Sequence, residues 1–256
     1  QVAIVGFGQV GSRLGAMLSR LGFHCVANDP FLEQTNSEIS LVDLDQALAS
    51  DIVTVHTPLS KLGPHSTFQL IGASEIAAMP AGALLINMAR GGIVDESALL
   101  SRLSREQEFS AIIDCWVGEP RVNPDLLDRC FLGSPHIAGH TIQARLMGTA
   151  MLCAALDDRL GCVNPWRDHF RDGASNTVDL PIAEQSTAQL AGLFETCCAN
   201  RTADIALREL LRHHDTSIDT GFDALRRAAA SRREFSDYRP MLEDPESSLA
   251  QLLLGL

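Results

Sequence analysis

The sequence predicts an α/β fold: a doubly wound parallel sheet followed by a smaller C-terminal α+β domain. Three observations carry this. Short apolar runs such as Val2-Ala3-Ile4-Val5 recur through the first half of the chain, as strands buried on both faces do. Stretches with apolar residues at helical spacing separate them, so strands and helices alternate as a parallel sheet requires. A glycine-rich turn, Gly6-Phe7-Gly8-Gln9-Val10-Gly11, joins the first run to the first helical stretch.

The elements follow in order. Residues 2–5 read as a strand ending in glycine. Residues 10–21 carry Val10, Leu14, Met17, Leu18 and Leu21 at helical spacing, and Gly22 closes them as a helix C-terminal glycine does. Residues 24–27 read as the next strand. Then come a helix at 44–48, a strand at 52–55, a helix at 73–79, a strand at 83–86, a helix at 96–103 and a strand at 110–113. Beyond residue 142 the alternation stops. Residues 144–160 read as one long helix and residues 162–179 as a polar, turn-rich linker. Helices are expected at 188–198, 203–212 with Thr202 as N-cap, and 222–230. The organisation expected is a dinucleotide-binding domain at 1–141, a helix and linker at 142–175, and a C-terminal domain at 176–256. Gln1 opens directly on the first buried strand, so residues are expected upstream of it.

Composition narrows the function classes. The chain has 256 residues, 46% of them hydrophobic, with a formal net charge of −12. That balance lacks the basic field that nucleic acid or an anionic membrane surface requires. An anionic small substrate stays possible, because one local arginine can outweigh the global charge. Seven cysteines, an odd number without a CxxC pair, point to a reducing cytoplasm rather than a disulfide framework. No apolar run reaches membrane-spanning length.

Four clusters carry chemistry. In the glycine turn, Gly6 permits the tight bend, Gly8 lets a pyrophosphate approach the backbone, and Gly11 lets helix and strand pack closely. The phosphates then meet the helix N-terminus, where free N–H groups favour anions. Asp29, 18 residues past Gly11, is placed to grip the adenosine ribose hydroxyls and to repel a 2′-phosphate, which favours NAD over NADP. Arg90 follows a strand directly, where open α/β sheets place ligands; it reads as a two-point carboxylate grip or as a surface ion pair with Asp95 or Glu96. Asp114 and Glu119 follow another strand, as site carboxylates or as a solvated loop. In Pro135-His136-Ile137-Ala138-Gly139-His140-Thr141 the two histidines read as a metal pair, as core residues, or as one acid/base with a neighbour. Pro135 and Gly139 oppose the helix that a metal pair at this spacing needs, and no third ligand is apparent, so no metal is expected.

GFGQVGSRL, NMARGGIVDESAL, IIDCWVGEP and PHIAGHT, in this order and spacing, resemble the NAD-dependent D-2-hydroxyacid dehydrogenases. Within them, HTPLSKLGPHST (His56 to Thr67) and FDALRRAAASRREFSDY (Phe222 to Tyr238) resemble the erythronate-4-phosphate dehydrogenase branch, which serves vitamin B6 synthesis. The resemblance implies a Rossmann-type domain, an N-terminal substrate domain largely absent from these residues, and a C-terminal dimerisation domain making a homodimer. It implies Arg90, Glu119 and His136 as the catalytic three. It further implies NAD contacts at Gly6, Gly8, Gln9, Val10, Gly11, Asp29, Thr57, Met88, Ala89, Asp114 and Gly139. His140 stands where the family usually has a substrate-touching tyrosine and is expected on the substrate side. The implied activity is NAD-dependent oxidation of 4-phospho-D-erythronate. Other D-2-hydroxyacid dehydrogenases, such as those acting on 3-phosphoglycerate, share the same motifs, as do NAD(H)-binding regulatory proteins of this fold.

Overall fold

The computed structural model describes residues 1–35, 38–161, 178–182, 192, 195, 198–212, 218–233 and 238–242. Two compact units emerge: Gln1–Ala138 with Ala203–Asp223, and Gly139–Thr202 with Ala224–Leu256.

The first unit is built on seven parallel strands. In chain order its elements are β1 (Val2–Val5), α1 (Gln9–Arg20), β2 (Cys25–Asn28), β3 (Ser40–Leu41), α2 (Leu44–Leu48), β4 (Ile52–Val55), α3 (Ala73–Ala78), β5 (Leu84–Asn87), α4 (Glu96–Leu103), β6 (Ser110–Ile113), α5 (Pro124–Arg129) and β7 (Leu132–Gly133). The sheet order is β3-β2-β1-β4-β5-β6-β7. The chain winds outward from β1 in one direction, then returns and winds outward from β4 in the other. The reversal between β1 and β4 opens a crevice at the carboxyl ends of those strands. Their ladder registers Val2 with Ile52 and Val5 with Val55, and the His56 N–H continues it past the strand ends by donating to the Val5 carbonyl at 2.7 Å; on the other side of β1 the Gly6 N–H donates to the Asn28 carbonyl of β2 at 2.8 Å.

Burial explains why these segments are strands. All four residues of β1 are at most 3% exposed, so no face of it is left for polar residues. Val2, Ile4, Phe7, Cys25, Ala27 and Ile39 form one packed cluster under α1, and each large aliphatic side chain buried there contributes about 1.5–3 kcal/mol. The helices carry local start signals: Asp43 and Gln46 form a capping box on α2, Asp95 accepts from the Ser97 and Ala98 N–H groups of α4, and Asn123 caps α5 ahead of Pro124. Arg102 is an interior cation. Its guanidinium donates to the carbonyls of Ile76, Met79 and Pro80 at the end of α3, and lies 4.2 Å from the Phe109 ring centroid. Helix C-terminal carbonyls are partial negative charges, so the arginine serves there as a cap.

Most expected elements fall within a residue or two of those observed. The exceptions have physical reasons. β3 and β7 have two residues each, too few to show any periodicity, and α5 has only the adjacent Leu126 and Leu127 as buried apolar residues, which gives no helical spacing. The helix expected at 203–212 with Thr202 as N-cap begins earlier, at α7 (Asn200–Arg212), so Thr202 lies inside it. The helix expected at 222–230 likewise starts earlier, at α8 (Ile218–Ala229). Residues 203–223 fall in the first unit rather than with the segment around them. Asp204 accepts from the Gly133 N–H at 2.7 Å, Arg208 donates to the Cys130 carbonyl at 3.0 Å, and Asp219 pairs with Arg121 at 3.2 Å.

The second unit contains α6 (Ile142–Leu160), capped by Thr141 through the Ala144 N–H and closed by Gly161 in the left-handed region. It also contains a two-stranded parallel ladder of β8 (Val178–Ile182) and β9 (Tyr238–Leu242), in register from Val178–Tyr238 to Ile182–Leu242. Most of the helix expected at 188–198 and most of the linker at 162–179 lie outside the described residues. Among those residues, no helix is long and apolar enough to cross a membrane.

Candidate active site

The crevice between β1 and β4 has the chemistry of a dinucleotide site. Gly6 sits at φ +91°, and a Cβ there would lie 2.8 Å from the Thr57 nitrogen, so only glycine makes this turn. A Cβ on Gly11 would run into the Gly6 carbonyl oxygen, whereas a Cβ on Gly8 meets nothing within 4 Å. Gly8 is the N-cap of α1 and offers no side-chain cap. The first turn of α1, containing Gln9 and Val10, therefore presents N–H groups that the helix itself cannot satisfy. Asp29 lies just past β2; its two oxygens accept from the Phe7 N–H at 2.9 Å and the Phe31 N–H at 3.1 Å. The carboxylate is thereby held against the glycine turn. Gly6, Gly8, Asp29, Phe31 and Thr57 all line a cavity of about 470 Å³. The Thr57 hydroxyl is buried with no hydrogen-bond partner among the described residues, an uncompensated polar atom where a ligand would supply one. His56, on the same wall, bonds the Thr54 hydroxyl through Nε2 at 2.9 Å, and burial pushes its pKa down.

The strands on the other side of the reversal build a second pocket. Past β5, the Asn87 side chain accepts from the Ala89 N–H at 3.1 Å and donates to the Arg90 carbonyl at 3.0 Å, which fixes the turn that projects Arg90. Met88 is half-buried and Ala89 buried in that turn. Arg90 is exposed and donates to the Ala89 carbonyl at 2.6 Å. The alternative of an ion pair with Asp95 or Glu96 is not realised: Asp95 caps α4, and Glu96 accepts from the Val117 N–H at 2.6 Å. Past β6, Glu119 is oriented on both oxygens. One accepts from the Trp116 N–H and the other meets His136 Nδ1, each at 2.8 Å. Past β7, His136 has φ +52°, a strained value for a residue with a Cβ. Its N–H donates to the Asp114 carbonyl at 2.8 Å and to the Ser134 carbonyl at 3.0 Å. Arg90, Glu119 and His136 line one cavity of about 270 Å³ with Lys61, Phe68 and Trp116.

Asp114 is fully buried, and its carboxylate accepts from the Ser134 hydroxyl at 2.6 Å and the N–H groups of Ile137 and Ala138 at 2.8 and 2.9 Å. It anchors the segment that carries His136. Gly139, at φ +68°, and His140 belong to the second unit. Cys115, Glu119 and His136 offer ligand atoms within 4.8 Å of one another. Two of these atoms are already bonded to each other, and burial beside Asp114 and Glu119 pushes the Cys115 thiol far up, away from the thiolate a metal needs. Glu119 and His136 bond each other, while the Cys115 thiol is directed to the Ala89 carbonyl at 3.4 Å.

Residues 1–138 match the family model described as D-isomer specific 2-hydroxyacid dehydrogenase, NAD binding domain. The chain belongs to that family. An erythronate-4-phosphate dehydrogenase from Marinobacter nauticus is 37% identical over 252 residues, covering 97% of this chain and 66% of that protein. One from Pseudomonas savastanoi pv. phaseolicola is 36% identical over 256 residues, covering 99% and 67%. The chain spans about two thirds of the length of these relatives. An acyclic imino acid reductase solved with NADPH and D-Arg shares the fold at a TM-score of 0.53 and 22% identity, covering 62% of this chain and 50% of its own.

As a member of the D-isomer specific 2-hydroxyacid dehydrogenases, the chain has an NAD-binding domain, and NAD is its cofactor. The open space over Gly8, the uncapped start of α1, the tethered Asp29 and the orphaned Thr57 hydroxyl all fit it. Lys61, Glu96 and Asn87 lie within the motifs but have no site role legible in the sequence. Asn87 and Glu96 stand within the quoted NMARGGIVDESAL stretch, but their roles depend on which loop packs against them. Lys61 had a signal of another kind: no other lysine occurs in the sequence.

Proposed function

We propose that the protein oxidises 4-phospho-D-erythronate at C2 with NAD, giving 2-oxo-3-hydroxy-4-phosphobutanoate for pyridoxal 5′-phosphate synthesis. The observation that carries the chemistry is the 2.8 Å Glu119–His136 pair in one pocket with Arg90. The names of the relatives over nearly the whole chain supply the substrate.

Removing hydrogen from a 2-hydroxy acid takes a hydride from C2 and a proton from its hydroxyl. NAD, when bound, supplies the acceptor for the hydride. His136 receives the proton: Nδ1 faces Glu119, so Nε2 is the nitrogen that exchanges it. Glu119 fixes the ring orientation and balances the imidazolium that forms. Arg90 swings off the Ala89 carbonyl to hold the substrate carboxylate in two-point fashion and to polarise the forming carbonyl. Asp114 keeps the strained His136 backbone in place. The first turn of α1, from Gln9 to Gly11, would hold the pyrophosphate and Asp29 the ribose. Thr57, Met88, Ala89, Asp114 and Gly139 are proposed along the rest of the cofactor, and His140 on the substrate side. The whole protein is proposed as a cytoplasmic homodimer joined through residues 176–256.

The test follows NADH absorbance with 4-phospho-D-erythronate and 3-phosphoglycerate side by side. His136→Asn should lower kcat by about 10²–10⁴-fold while leaving NADH affinity within about twofold. A fully active variant removes His136 from the mechanism, and preference for 3-phosphoglycerate moves the substrate.

A further inference from the structure

Of the 20 lysine and arginine residues in the chain, only Lys61 is a lysine. It lies on the wall of the pocket that holds Arg90, Glu119 and His136. Among the described residues no carboxylate pairs with it; its ammonium lies 5.3 Å from the centroid of the Phe68 ring, which lines the same pocket. The segment that presents it is tightly tied. The Ser60 carbonyl accepts from the N–H groups of Thr67 and Phe68, both at 2.9 Å, and from the Ser66 hydroxyl at 3.0 Å. The Ser60 N–H donates to the Thr67 hydroxyl at 2.7 Å. The far end of the same loop is bonded to the turn beyond Arg90, through the Gln69 N–H to the Gly92 carbonyl at 2.8 Å and the Ile71 N–H to the Ile93 carbonyl at 3.1 Å. Lys61 and Arg90 are thus presented to one cavity by two loops stitched together.

The two cations are not equivalent. A guanidinium is a planar fork matched to a carboxylate, whereas an ammonium is a compact point charge suited to a phosphate. The pocket's own carboxylate, Glu119, is already committed to His136. We propose that Lys61 is a specificity-determining residue that receives a second anionic group of the substrate, a phosphate carried away from the carboxylate held by Arg90. This rests on the hydroxy-acid reading of the pocket and adds to it the residue that would select phosphorylated acids.

The experiment is calorimetric titration of the whole protein, loaded with NADH, by 4-phospho-D-erythronate and by unphosphorylated D-erythronate. Lys61→Gln should weaken 4-phospho-D-erythronate about tenfold, or about 1.4 kcal/mol, and D-erythronate less than about twofold, with Lys61→Arg recovering most of the loss. Because no other side-chain amine exists in the chain, reductive ¹³C-methylation places one labelled side chain in the protein, and inorganic phosphate should shift its signal saturably. Equal losses for both acids, no loss for either, or a phosphate-insensitive signal overturns the assignment. Arg90→Gln keeps the underlying reading separately testable. If that variant binds both acids as well as the parent, the hydroxy-acid reading fails and the Lys61 assignment falls with it. If Arg90→Gln weakens both acids while Lys61→Gln spares both, only the Lys61 assignment is lost.

Discussion

Glu96 should make the stability of the chain fall as pH rises from about 4.5 to 7, and the effect should vanish in Glu96→Gln. The carboxyl belongs to the first residue of α4. Burial pushes its pKa up from 4.5 to about 7, with the nearby charges of Glu119 and Asp95 adding to the shift and the Val117 N–H opposing it. Below the lower value both folded and unfolded chains hold the proton. Between the two values the folded chain keeps a proton that the unfolded chain has released, so rising pH favours unfolding. A shift of that size corresponds to about 3 kcal/mol at roughly 1.36 kcal/mol per pKa unit. The side chain is only partly buried, and solvent screening reduces the expected penalty to about 1–2 kcal/mol. The glutamine of the Glu96→Gln variant is a neutral isostere whose side-chain oxygen can still accept from the Val117 N–H. Urea unfolding of both proteins at about pH 5 and about pH 8 reads the difference: the parent should lose about 1–2 kcal/mol more than Glu96→Gln across that interval. Parallel pH dependences, with the gap unchanged within about 0.5 kcal/mol, would refute the reasoning.

The glycines of the first turn should separate folding from cofactor binding. Gly11→Ala drives a methyl group into the Gly6 carbonyl and should cost about 1–3 kcal/mol in urea unfolding. Gly8→Ala enters open space; it should change stability by less than about 1 kcal/mol yet weaken NADH, followed by fluorescence, about tenfold. Ile137 and Ala138 donate to different oxygens of Asp114, so Asp114→Asn turns an amide donor toward one of these two N–H groups and should cost about 2–3 kcal/mol, read as a lower urea midpoint.

What the sequence made legible follows from where the information is local. β1, β4, β5 and β6 lie in the middle of the sheet, so their residues are packed from both sides and their apolar runs are nearly unbroken. β3 and β7 exist only through pairing with β2 and β6, which two residues cannot announce. α5 carried a local signal, Asn123 followed by Pro124, that apolar spacing alone overlooks in so short a helix. The start of α7 was misplaced because Thr202 resembles a cap, whereas the helix begins before it. The pocket was legible as clusters because each follows a strand, and strand ends in a parallel sheet converge. The supporting contacts were not. Nothing in Asp114 foretells that its carboxylate is spent on Ser134, Ile137 and Ala138, and nothing in Glu96 foretells Val117, because both sets of bonds cross between loops distant in the chain.

Labour is divided across the sheet, with the boundary between β4 and β5. The glycine turn, Asp29 and Thr57 hang from β1, β2 and β4, while Arg90, Glu119 and His136 hang from β5, β6 and β7. Each group is braced from its own side: Asp29 by the Phe7 and Phe31 N–H groups, Glu119 by Trp116, and the His136 segment by Asp114. On the proposed roles, lineages could exchange one coenzyme for another by editing the loop after β2, or one acid for another by editing the Lys61 loop, while inheriting the Glu119–His136 pair unaltered.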